Sequence, residues 1–336
     1  MHFFVTGHTG FKGAWLVLLL RHRGHTVSGL ALDPLPDALF ERAAVAGELA
    51  NDFRTDVRDS AAVKSAIAES SPDVVIHMAA QPLVRESLRE PRLTVETNLL
   101  GTLSVLEAVT ATPSVRAHVV VTTDKVYRDV GQANGYPEDA PLGGNDPYSA
   151  SKAMVELLTH AWVDSFSPCP TATARAGNVI GGGDISRDRL LPDLLAGLSA
   201  GRTPLIRYPD AIRPWQHVLD AVSGYVLLAE ALLDGSHAGG AWNFGPDPHG
   251  FATVRAVADE VVSLWGGGAS WRTDTESHPR ESHVLTLDAG KAREQLGWAP
   301  RLDLLTAIGW TVEWQRRCTV EPSAGVTREQ VARFDA

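Results

Sequence analysis

The chain has 336 residues, 44% of them apolar and 21% charged, with a formal net charge of −10. That length supports one large domain, or a domain carrying a smaller lobe, and the acidic balance argues against a general nucleic-acid binder. Its two cysteines, Cys169 and Cys318, are far apart and lack C-x-x-C spacing, so no disulfide framework or cysteine zinc site is expected and the reducing cytoplasm is the default compartment.

The opening run MHFFVTGHTGFKGAWLVLLL is apolar, but no basic region precedes it and glycines interrupt it, unlike a secretion signal. No other segment approaches the roughly 18 apolar residues of a membrane span, so a soluble chain with no membrane partner is expected. Short apolar or β-branched runs at His2–Thr6, Thr26–Ala31, Asp73–Met78, Ala117–Thr122 and Thr171–Arg175 predict buried strands. Helical stretches alternate with them, at Gly13–Arg23, Ser60–Glu69, Pro91–Thr110 and Tyr148–Ser165. This alternation predicts an α/β fold with a Rossmann-type doubly wound parallel sheet, whose ligands bind at the carboxyl ends of the strands. Beyond Arg175 the rhythm breaks into segments rich in Gly, Asp, Pro and Arg. A helix at Leu219–Leu233 and a strand at Ala241–Phe244 follow, the latter able to rejoin the sheet. The remainder predicts a smaller α/β lobe built from insertions and the tail.

The first strand runs into Thr6-Gly7-His8-Thr9-Gly10-Phe11-Lys12-Gly13, a G-x-x-G-x-x-G turn that opens a helix. Glycines there allow the backbone to turn tightly and approach a pyrophosphate, while the helix N–H groups hold the charge. Gly7, Thr9, Gly10, Phe11, Lys12 and Gly13 are therefore candidate dinucleotide contacts. Asp33 is the acidic candidate for the ribose, although the second strand closes at Ala31, and no arginine occupies 30–34 to hold a 2′-phosphate, which favours NAD over NADP. Asp56 and Val57, expected to close the third strand, are candidates for the adenine; a plain turn aspartate is the alternative.

Tyr148-Ser149-Ala150-Ser151-Lys152 is a Y-x-x-x-K on a predicted helix, so phenol and ammonium face one side. A free tyrosine titrates near 10, and lowering that by about three units requires roughly 4 kcal/mol, which a neighbouring lysine and a positive nicotinamide would supply. Thr122-Thr123-Asp124-Lys125 ends another predicted strand, and Thr123 can donate to the hydroxyl that Tyr148 deprotonates. The histidines, His217 included, show no ligand spacing, and no metal is expected.

The glycine turn, Ala79-Ala80, Asn98, Thr123 and the Tyr148/Lys152 pair resemble the extended short-chain dehydrogenases/reductases. The blocks GHTGFKGAW (7–15), HMAAQPLVRES (77–87), TTDKVY (122–127), PLGGNDPYSASK (141–152), ARAGNVIGGGD (174–184), AIRPWQHV (211–218) and LDAGKAREQLGWAP (287–300) resemble CDP-glucose 4,6-dehydratases. The resemblance implies an internal redox cycle with NAD as cofactor and a nucleotide sugar as substrate. Tyr148 would take the 4-hydroxyl proton, Asp124 would protonate the departing 6-hydroxyl, and Lys125 would remove the C5 proton. Lys125 could instead merely pair with a carboxylate. The resemblance also implies that Ala79, Ala80 and Asn98 contact the cofactor, and that Gln81, Ser87, Asn178, Arg187, Arg189 and Arg213 contact the substrate. Residues 1–175, with 219–245 returning, would form the NAD domain, while 176–218 and 246–336 would form the nucleotide-sugar lobe. A homodimer or higher homo-oligomer through the Pro91–Thr110 and Tyr148–Ser165 helices is implied as well. Rival readings are a 4-epimerase, a dehydratase of another nucleotide sugar, and a non-catalytic dinucleotide sensor. Asp124-Lys125 argues against the first, and the retained Tyr148/Lys152 pair against the last.

Overall fold

The computed structural model of the chain describes residues 1–132, 135–166, 169–236, 239–247, 250–276, 278 and 284–336. Seven parallel strands form the central sheet: β1 (His2–Thr6), β2 (Thr26–Ala31), β3 (Asn51–Arg54), β4 (Val74–His77), β5 (Ala117–Val121), β6 (Thr171–Ala176) and β7 (Gly240–Phe244). Their order is β3-β2-β1-β4-β5-β6-β7. The chain winds outward one way from β1 and then the other way from β4, which leaves a crevice beyond the carboxyl ends of these two strands. Register pairs Thr6 with His77 and Val121 with Ala174, so the motif-bearing turns leave the sheet along a common edge.

Helices cover both faces, and β1, β4 and β5 are accordingly almost continuously apolar. Helix Phe11–His22 is buried at every residue from Gly13 to Leu20, because it lies between the sheet and the helices Val218–Leu233 and Ser323–Asp335. It therefore lacks the polar stripe of a surface helix. A second core gathers Leu191, Leu194 and Leu198 of helix Leu190–Ser199 with Val257 and Val261 of Val254–Trp265 and Ile308 and Val312 of Leu304–Arg317. Short pairs edge this lobe: Ile212–Pro214 runs antiparallel to Phe251–Thr253, and Leu205–Ile206 parallel to Arg272–Thr273.

Three expectations need correction. The third strand ends at Arg54, short of Asp56-Val57, because the Asp56 carboxylate accepts from the Arg58 backbone N–H at 2.8 Å and its guanidinium at 2.7 Å, closing a turn. The helix expected over Pro91–Thr110 is interrupted: Pro91–Val95 leads into a π turn at Glu96–Leu100 before Gly101–Thr110. The last helix, Ser323–Asp335, packs not only on the lobe helix Leu304–Arg317, where the Trp314 indole donates to Thr327 at 2.9 Å, but also on Phe11–His22 through Val326, Val331 and Phe334, and Asp335 pairs with Arg23 at 2.6 Å.

Candidate active site

The glycine turn closes the carboxyl end of β1. Gly7 takes a φ of +75°, and a Cβ on it would lie 2.8 Å from the Ala79 nitrogen. At Gly13 a Cβ would lie 2.2 Å from the Gly7 carbonyl oxygen, so the helix can start against the turn only as glycine. A Cβ on Gly10 would meet nothing closer than 3.4 Å, so this residue leaves the turn's outer side open for close backbone approach. The Thr9 hydroxyl donates to the Leu32 carbonyl at 3.0 Å, tying the turn to the end of β2 beside the exposed Asp33. His8 reaches sideways under β2: its Nε2 bonds Asp52 of β3 at 2.8 Å, and a Cβ on Gly29 would collide with its ring at 2.4 Å. This cradle fits a dinucleotide pyrophosphate at a helix N-terminus.

Lys12 points from the turn toward the chemistry, with its Nζ 3.4 Å from the Tyr225 hydroxyl. Desolvation, with Arg189 and Lys152 nearby, lowers its pKa to about 7. Thr123, Asp124, Tyr148 and Lys152 are all buried at the ends of β5 and of helix Pro147–Phe166. The Thr123 hydroxyl donates to Asp124 Oδ1 at 3.0 Å and hydrogen-bonds Tyr148. Burial pushes the Tyr148 phenol up to about 12, opposed by the Thr123 bond and by Arg189. The Lys152 Nζ donates to the Val121 carbonyl at 3.0 Å, and burial lowers its pKa to about 8 against the pull of Glu156.

Asp124 and Lys125 begin a three-residue turn, Asp124–Val126. Burial raises the Asp124 pKa above the usual carboxylate range, and its Oδ2 has no hydrogen-bond partner among the described residues. Gly177, past the end of β6, makes that placement possible, since a Cβ there would come within 3.0 Å of Oδ2. An unpaired buried carboxyl oxygen favours the protonated acid. Lys125 is half-buried and lines the same cavity as Asp124 and Tyr148.

That cavity, of about 1550 Å³, opens between the sheet edge and the lobe. Asn178, Arg187, Arg189 and Arg213, four of the substrate candidates, line it. Gln81 and Ser87 do not. Gln81 binds its own loop, through Thr94 at 2.8 Å and the Leu83 N–H at 2.6 Å. Ser87 is wholly buried and donates to the Val84 carbonyl at 2.7 Å. Asn98 likewise faces protein: its Oδ1 accepts from the Gln81 N–H at 2.8 Å, and its Nδ2 donates to Ser151 at 2.8 Å, bracing the β4 loop against the Tyr148 helix.

Sequence reasoning missed Arg85. It lines the cavity from helix Val84–Arg89, 3.3 Å from Asp188 and 2.9 Å from His278 Nδ1. Asp188 also holds Arg207 at 2.8 Å. The only signal for Arg85 lies in phase, because Arg85 and Ser87, two residues apart, point to nearly opposite sides of the helix. Among the described residues no group of His, Cys, Asp or Glu gathers as a metal site, and no helix is long and apolar enough to cross a membrane.

A doubly wound parallel sheet with a glycine turn at its switch point, and with Thr123, Tyr148 and Lys152 at the neighbouring strand ends, defines an extended short-chain dehydrogenase/reductase. The profile of the NAD dependent epimerase/dehydratase family matches residues 3–245, and the chain belongs to that family, with NAD as its cofactor. It is 45% identical over 323 residues to the CDP-glucose 4,6-dehydratase of Salmonella typhimurium, covering 93% of this chain and 90% of that one. The dTDP-glucose 4,6-dehydratase DesIV of Streptomyces venezuelae, solved with NAD bound, superposes with a TM-score of 0.80 at 26% identity, covering 96% of this chain and all (100%) of that one. The UDP-glucose 4-epimerase of Thermotoga maritima, solved with UDP-glucose, shares the fold with a TM-score of 0.84 at 23% identity, covering 96% and 100%.

Proposed function

We propose that the chain is a nucleotide-sugar 4,6-dehydratase that converts CDP-glucose to CDP-4-keto-6-deoxyglucose. The observation that carries this reading is the buried Asp124 beside Lys125, one residue from Thr123, on the cavity wall shared with Tyr148. A 4-epimerase needs no such acid and base. NAD, held at the Gly7–Gly13 turn, would supply the hydride acceptor for C4 and donor for C6.

The protein's own groups handle protons. Thr123 orients the 4-hydroxyl and Tyr148 removes its proton, which requires the phenol to fall from its raised pKa when a positive ring and Lys152 lie close by. Once C4 is a ketone the C5 hydrogen is acidic, and Lys125 removes it. Asp124, protonated through burial, donates to the departing 6-hydroxyl, so water leaves with one proton from the acid. The Lys125 ammonium then returns its proton at C5, and the proton that Tyr148 took from the 4-hydroxyl makes good the one Asp124 gave up. Arg187, Arg189 and Arg213 would grip the diphosphate, a task suited to planar guanidinium groups. The cytidine base is assigned by likeness to the Salmonella typhimurium enzyme.

We further propose a cytoplasmic homodimer. The exposed apolar side chains Leu93, Leu100, Leu157 and Phe166 on the two paired helical segments supply a face for a second copy. Val105, on the same helical segment, is wholly buried against the core and takes no part in that face.

The test is incubation of the purified chain with CDP-, dTDP-, UDP- and GDP-glucose, followed by mass spectrometry. CDP-glucose should lose the mass of one water, and an unchanged mass with all four would overturn the reading. Tyr148→Phe should lower turnover by about 10² to 10⁴ with little change in nucleotide-sugar affinity.

A further inference from the structure

The proposed elimination pair stands on a turn of only three residues, Asp124–Val126, so its placement depends on what holds each end. The upstream end is tied to the sheet: the Thr122 N–H donates to the Ala174 carbonyl at 2.8 Å, and its hydroxyl donates to Glu156. Glu156 is one helical turn from Lys152 and forms a wholly internal pair with Arg175 of β6, both side chains 4% exposed. The downstream end is Tyr127, which is 3% exposed.

The Tyr127 hydroxyl lies between two fixed groups. It accepts from Arg175 Nη1 at 2.8 Å and donates to Asn243 Oδ1 at 2.7 Å. Neither group is free to drift. Arg175 Nε and Nη2 are engaged by Glu156 at 2.9 and 2.8 Å, while Asn243, on β7, donates from Nδ2 to the Tyr136 and Asp288 carbonyls at 2.8 Å each. The ring is fixed as well, stacked on Tyr136 with centroids 5.1 Å apart and planes 10° from parallel.

Resting on the dehydratase reading above, we propose that Tyr127 is a positioning residue for the elimination half of the reaction. It buttresses the Asp124–Lys125 turn against β6 and β7 without touching the groups that act at C4. Those groups have separate support: Lys152 is held by Val121, and the Tyr148 helix by the Ser151–Asn98 bond. Loss of the Tyr127 hydroxyl should therefore divide the reaction into one half that persists and one that slows. A displacement of a catalytic group by about 1 Å lowers rates on the order of 10²-fold.

The experiment uses the full-length chain loaded with NAD, with CDP-glucose in single turnover. Tyr127→Phe should leave the appearance of reduced nicotinamide absorbance within about twofold of the parent. Water loss, followed by mass, should fall about 10- to 100-fold, and exchange of the C5 hydrogen with solvent deuterium should fall in step. Should Tyr127→Phe fail to fold by circular dichroism, Arg175→Lys provides the same reading. It keeps a charge for Glu156 but cannot hold Glu156 and Tyr127 together, and it should show the same split. Parallel slowing of both halves, or normal water loss, would overturn the proposal while leaving the dehydratase assignment intact. A parent chain that reduces its cofactor on CDP-glucose yet releases no water would overturn that assignment, and this proposal with it.

Discussion

The floor and the roof of the cavity are built by different means. The floor is the sheet edge, where backbone geometry does most of the positioning: Gly7 and Gly13 fit against the backbone around them with no room for a Cβ, and Thr123 leaves the end of β5. The roof, 184–215 with its neighbours, sets the helix Leu190–Ser199 among loops whose charged side chains hold one another, as Arg85, Asp188 and Arg207 do. A floor fixed by close contact tolerates almost no substitution of shape. A roof fixed by ion pairs tolerates change of shape but not of charge geometry.

The sharpest way to break the comparison is Gly13→Ala. Its methyl would have to occupy space 2.2 Å from a carbonyl oxygen, a backbone neighbour that cannot swing aside. We expect a loss of at least about 3 kcal/mol in stability and no calorimetric signal for NAD. Normal NAD binding by that variant would mean the floor is softer than its geometry implies.

On the roof, Arg213→Lys keeps the charge and removes the planar fork. KM for the nucleotide sugar should rise about 10- to 30-fold with kcat within about twofold, measured by steady-state turnover. An unchanged KM would remove Arg213 from the diphosphate grip.

The smallest effect concerns the join between the two regions. Asp220, on helix Val218–Leu233, accepts from the Arg301 N–H at 2.6 Å and anchors the tail segment that follows Trp298. Burial raises its pKa to about 7. A carboxyl whose folded pKa is raised contributes stability below its unfolded value and loses it as pH climbs through the folded one. Asp220→Asn keeps an acceptor and carries no charge, so it should be more stable than the parent at pH ~8 by about 1 kcal/mol and show a flatter Tm-against-pH curve between roughly 4 and 7. Equal pH dependence in the two proteins would show that Asp220 does not titrate in this range. Turnover should be unaffected, since Asp220 supports the roof without lining it.

This division also explains what was legible before the structure. The floor follows chain order: a strand, a turn of special residues and a helix are contiguous, so Gly7–Gly13, Thr123 and the Tyr148/Lys152 spacing could be read directly. Even there one contact escaped, the bond from Lys152 to the Val121 carbonyl. The roof brings together Arg85, Asp188, Arg207 and His278 from four separated segments, and no local pattern encodes such a meeting. Ser87 shows the limit well. In a helix of six residues, Val84–Arg89, the apolar pattern is too short to fix which side faces inward, and the serine turned into the protein while the arginine turned out.

The π turn at Glu96–Leu100 widens one coil of the helical segment and so shifts its rotational phase. Leu93 and Leu100 face outward, while Asn98, between them, points into the protein. Removing a single residue there would close the widened coil into a regular one and reposition the side chains within it. Asn98 would then no longer meet Gln81 and Ser151, and the β4 loop and the Tyr148 helix would lose their common brace. In this stretch the number of residues carries as much information as their kind, so a one-residue gap drawn here in an alignment would describe a different protein.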